Sequence, residues 1–154
     1  MKPDVQKVMV RSFARIATDI APAIAVEYAA GSATVIGLMM FQTATEFDRA
    51  AENFVQENRA FRAIFLAALA HVEAAELKPK LKAAAETKDG SLRISDLDEA
   101  NNALSALLIE LQTHVETQKG SWARDLETQI WAELVRGAEA RRLPHPMVDL
   151  SWAE

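Results

Sequence analysis

The chain carries three histidines and no cysteine, so it has few groups with which to hold a metal or attack a carbon. The missing thiols exclude a disulfide framework, a thiolate zinc site, an iron–sulfur cluster and a cysteine nucleophile. Helical proteins often hold two metals with glutamates and paired Glu-x-x-His motifs, whose spacing puts both ligands on one helical face. No Glu-x-x-His occurs here. Glu110 and His114 stand four positions apart and share a face. With Glu27 and His71 they make the one reduced metal set that can be assembled, Glu27, His71, Glu110 and His114. The favoured expectation is that no metal is bound: Glu110–His114 reads as an exposed pair and His71 as a residue at the edge of a core.

Other chemistries fare no better. Ser12, Ser32, Ser91, Ser95, Ser105, Ser121 and Ser151 include no Gly-x-Ser-x-Gly elbow. The five glycines are scattered and form no phosphate loop. Arg136, Arg141 and Arg142 sit near a helix C-terminus, where the helix dipole favours cations. The formal charge of −5 argues against a nucleic-acid binder. No catalytic residue is assigned and no cofactor is expected. Glu27 and Tyr28 bring a carboxylate and a phenol into an apolar stretch and, if buried, need partners such as Arg11 or Arg15. The sharper alternative is a small-ligand pocket lined by Tyr28, Met39, Met40, Phe41 and a tryptophan.

The elements that would position these groups are helices throughout. The 154 residues are 50% hydrophobic and 25% charged, which fits one globular domain over 1–154. Ala, Leu, Glu, Gln, Arg, Lys and Met dominate, and all favour helix. A first helix is expected over Pro3–Thr18, with Asp4 near its N-terminus and Val5, Val8, Met9, Phe13 and Ile16 on one face. Asp19 is the expected N-cap of a second helix that has Pro22 near its start. That helix carries a seam at Val26, Ala30, Ala33, Gly37, Met40, Ala44, Phe47, Ala51 and Phe54, with steps of four and three. Between Tyr28 and Thr45 no charge occurs. The stretch is too rich in Ala, Gly, Ser and Thr for a good membrane span and is expected to be buried on several sides.

A helix from Ser32 to Leu77 would be about 70 Å long, too long for one compact domain, so a turn or sharp bend is expected at 55–59, where Asn58 lies. Pro79 ends or restarts a helix, and a short helix to about Thr87 closes at Asp89-Gly90. Ser95 is the expected cap of the next helix, with Asp98 three residues on. Ser121 is the expected cap of the last, which Pro144 stops. The tail holds Met147, Val148, Leu150 and Trp152, apolar enough to dock on its own chain or on a second subunit. The expected architecture is an all-α, up-down bundle of four main helices with short extra helices and an apolar strap over 144–154.

Lys2-Pro3-Asp4, Ile20-Ala21-Pro22-Ala23 and the long small-residue helix ending near Glu46 carry a resemblance. Over the first 45 residues or so, the chain resembles a family of short bacterial all-helical proteins of unassigned function. Members are often encoded beside acyl-CoA dehydrogenases and aminoglycoside-phosphotransferase-like proteins. The expected second-helix basic and aromatic positions are here Glu27, Tyr28 and Ala29. The resemblance implies a bacterial helical protein and no catalytic residue.

Function is expected to lie in association. The leading expectation is a non-catalytic, cytoplasmic homodimer, since no apolar signal core follows Met1. Its interface is expected at Ala30, Ala33, Gly37 and Trp152, with no nucleic-acid or membrane partner. The alternative is a small-molecule or metal-binding bundle, with or without enzymatic activity. A membrane-associated helix over Tyr28–Thr45 is the third and weakest.

Overall fold

Asp4 starts the first helix by accepting a hydrogen bond from the Lys7 backbone N–H at 3.1 Å, which satisfies one of the donors a helix start leaves open. In the computed structural model, which describes residues 4–143, this helix, α1, spans Val5–Arg15. It widens into a π-helical turn over Ile16–Ile20. Pro22 supplies the reason: it has no N–H to give the Thr18 carbonyl, and its ring crowds that carbonyl, so a regular turn cannot pass through. Pro22 then lies in the short α2, Ala21–Ala23, whose N-cap position is Ile20. Asp19 therefore does not cap, and its carboxylate accepts from the Thr18 hydroxyl at 2.8 Å.

Helix α3 runs without interruption over Glu27–Ala68, 42 residues and about 63 Å. The turn expected at 55–59 does not form. No proline or glycine stands there, and the asparagines do not turn on their own backbone. Asn58 Nδ2 donates instead to Asp89 Oδ1 and to the Leu97 carbonyl, at 3.1 and 3.3 Å. The remaining helices are α4 (Leu77–Ala85), α5 (Ile94–Glu116) and α6 (Ser121–Ala140). Neither expected serine cap forms. The N-cap positions are Arg93 and Gly120, and neither makes a side-chain cap bond. Gly120 is needed for clearance, since a Cβ there would lie 2.6 Å from the Trp122 ring.

The described chain is all-α, as its periodicity requires, and no strand occurs among the described residues. It divides into two units. One holds the described residues to Ala50 with Arg142 and Leu143; the other is Ala51–Arg141. In the first, α1 lies on α3. Val10, Phe13, Phe41 and Ala44 are buried, and the rings of Phe13 and Phe41 lie 5.4 Å apart. Gly37 lets the helices approach, because a Cβ there would meet Ile16 Cγ2 at 3.1 Å and Phe13 Cδ2 at 3.3 Å. In the second unit, the far half of α3 packs with α4, α5 and α6 around Phe61, Phe65, Leu81, Leu108, Leu111 and Ile130. The expected strap over 144–154, with His145 and Trp152, lies outside the described residues.

Candidate functional site

Two features stand out once the core is in place: a polar network inside the second unit and an open apolar face on the first.

The network begins at Glu57, on the core-facing side of α3 between Phe54 and Phe61. Its carboxylate is 11% exposed. Arg141, just past α6, donates to it through two nitrogens, Nη1 to Oε1 at 2.9 Å and Nη2 to Oε2 at 2.6 Å. Asn101 on α5 adds a third bond, Nδ2 to Oε2 at 2.7 Å, and also donates to Asn58 Oδ1 at 3.0 Å. From Asn58 the chain of bonds continues to Asp89, which accepts from Arg62 Nη2 at 2.6 Å. Arg62 Nε reaches Thr87 Oγ1 at 2.9 Å. Arg141 also lies over the Phe54 ring, 5.5 Å from its centre, a cation–π contact. Gly137 makes room, since a Cβ there would stand 2.8 Å from Glu57 Oε1. Among the described residues no buried side-chain polar atom lacks a partner.

A fully bonded network of this kind holds helices in register rather than performing chemistry. The acceptors of Glu57 are occupied by the protein itself. The sequence alone marks neither Glu57 nor Asn101 as a functional residue, places Arg141 among cations near a helix C-terminus, and offers Asn58 as a break. The available signal was a polar residue at a core position: Leu97, Asn101, Leu104 and Leu108 repeat at four and three, and a polar side chain at such a position is a register device.

The four metal candidates do not assemble. Glu110 Oε2 accepts from Lys80 Nζ at 2.7 Å, and this carboxylate holds the Lys80 ammonium above its ordinary pKa. His114 is half-buried near the end of α5. His71 is exposed and stacks on Trp122, with ring centres 5.3 Å apart, beside an open cleft of about 360 Å³ shared with Ser121, Asp125 and Gln129. Glu27 is exposed at the start of α3 in the other unit. Among the described residues no three His, Asp or Glu side chains gather as metal ligands. Nor does the pocket imagined around Tyr28 form: Tyr28 is 87% exposed and Met39 60%, whereas Phe41 is buried under α1. Arg136 at the end of α6 is bound by Glu133, which raises its pKa further.

The uncharged stretch of α3 is not buried on several sides. Among the described residues α1 covers one side, at Gly37 and Phe41, and Ala44 is buried on that same side. Of the expected interface positions, Gly37 is thus buried by the chain's own first helix, Ala30 and Ala33 are half-buried, and Trp152 lies outside the described residues. The opposite side is open. Tyr28, Val35, Ile36, Met39 and Phe47 are each more than half exposed, and Ser32 and Thr43 stand between them. No helix is long and apolar enough to cross a membrane among the described residues.

Comparison with known proteins finds no matching family model, curated protein or solved structure.

Proposed function

We propose that the protein works by association with itself, as a homodimer, and not by catalysis. The supporting observation is the open face of α3: a helical stretch with no charge from Tyr28 to Thr45, of which the packing of the described residues covers one side. A helix apolar on all sides belongs inside something, and exposed apolar surface of more than a few hundred Å² is the usual mark of an interaction site. The proposal keeps the cytoplasmic, bacterial setting expected above and assigns no cofactor.

Sedimentation of the purified chain at tens of micromolar tests it. The wild type is expected as a dimer. A Val35→Glu, Met39→Glu double variant is expected as a monomer with an unchanged helical circular-dichroism spectrum. A monomeric wild type would sink the proposal.

A further inference from the structure

The open face has an internal order that fixes how two copies would meet. Opposite the side covered by α1, the positions of α3 that recur at steps of four and three are Tyr28, Ser32, Val35, Met39, Gln42 and Glu46. This is a heptad seam, and it is its own complement when reversed about the level of Gly37.

We propose that two copies pair α3 against α3 in antiparallel order, about a two-fold axis at the level of Gly37. This rests on the reading of the protein as self-associating. Val35 then packs on Met39 of the partner subunit. The Ser32 hydroxyl, which donates to the Tyr28 carbonyl at 3.0 Å, accepts from the amide of Gln42 of the partner subunit. The Tyr28 hydroxyl, 87% exposed in the single chain, donates to the carboxylate of Glu46 of the partner subunit. Arg49, whose Nε donates to Glu46 at 3.3 Å in its own chain, balances that charge. Each contact occurs twice, as two-fold symmetry demands.

Three observations select this occupant and this direction. The face has no charge over its central length, so identical surfaces meet without repulsion, and a charged partner finds nothing to pair with. Tyr28, Val35, Ile36 and Met39, on or beside the seam, together expose on the order of 500 Å² of apolar surface, taking ~200 Å² for a whole aromatic side chain. A standard interface buries roughly 800 Å² per partner, and Ser32, Gln42, Thr43 and Glu46 make up the difference. A parallel pairing would set Glu46 beside Glu46 of the partner subunit and align two helix dipoles; the antiparallel one avoids both.

The cysteine-free chain allows a direct test by single-cysteine variants, mixed in pairs, equilibrated and oxidised. Tyr28→Cys mixed with Glu46→Cys is expected to give the mixed disulfide, as is Val35→Cys mixed with Met39→Cys. Tyr28→Cys alone is expected to give none, because its two copies would stand about 27 Å apart along the helices. Cross-linking of Tyr28→Cys with itself, or failure of both mixtures, overturns the antiparallel pairing while leaving a dimeric protein in place. A wild type that sediments as a monomer overturns the proposed function and this pairing together.

Discussion

Glu57 shows what a single buried carboxylate asks of its surroundings. Taking a charge out of water costs several kcal/mol, and only close, well-aligned partners offset it. Arg141 and Asn101 supply three such bonds. Glu57→Leu is therefore expected to lower stability in urea unfolding by about 3 kcal/mol, the low end for breaking a buried pair, because Arg141 keeps a third of its side-chain surface in water. Gly137→Ala is expected to destabilise by about 1–3 kcal/mol through crowding of Glu57 Oε1, although alanine is the better helix former. Equal or higher stability of that variant would show that Glu57 can shift aside. Asp4 gives a pH-dependent case. Its carboxyl pKa lies below the ordinary aspartate value, because its charged form accepts the Lys7 N–H. A lowered folded pKa stabilises above the unfolded value, and the contribution is lost as pH falls through the folded one. Between pH 5 and 2 the Lys7 amide should lose hydrogen-exchange protection in the wild type. In Asp4→Asn, whose neutral side chain still caps, that protection should stay constant.

At the scale of the element, α3 and α1 explain each other. α1 is short, and the π-helical turn before Pro22 ends its regular part. It therefore covers one side of α3 and leaves the other to solvent. The close approach depends on Gly37. Gly37→Leu is expected to push Phe13 and Ile16 off α3 and cost about 1–3 kcal/mol, seen as faster amide exchange across α1. Gly37→Ala should be nearly neutral, since a shift of a few tenths of an ångström clears Ile16 and helix propensity improves by ~1 kcal/mol. The length of α3 follows from its composition. Nothing in it breaks a helix, and Asn53 and Asn58 spend their side chains on other elements, at the Ala140 carbonyl, Asp89 and Leu97.

For the whole molecule, the charge of −5 bears on association. Two copies repel one another at long range, and salt screens that repulsion within about 8 Å at physiological strength. The centre of the open face, at Val35 and Met39, carries no charge to be weakened by salt, and Glu46 and Arg49 stand only at its end. Raising the salt from 20 to 500 mM is therefore expected to tighten the dimer several-fold in sedimentation equilibrium. A dimer that loosens with salt would be held chiefly by charged side chains such as Glu46 and Arg49, and would contradict the central role given to Val35 and Met39.

The helical class, the burial of Phe13 and the core positions Leu97, Leu104, Leu108 and Leu111 were legible in the amino-acid order alone, whereas Val5 and Val8, expected on the face of Phe13, are exposed and Val10 is buried in their place. Apolar spacing of three and four is a local property and survives any arrangement of the helices. Three things were not legible. The unbroken course of α3 depends on whether one core or two must be filled, and the chain has two units. The role of Glu57, Asn58 and Asn101 depends on Arg141 and Asp89 arriving from distant positions, and a polar residue in a stripe does not name its partner. The two sides of the uncharged run in α3 look alike as sequence. Only the docking of α1 on Gly37 decided which was covered and which was left facing water.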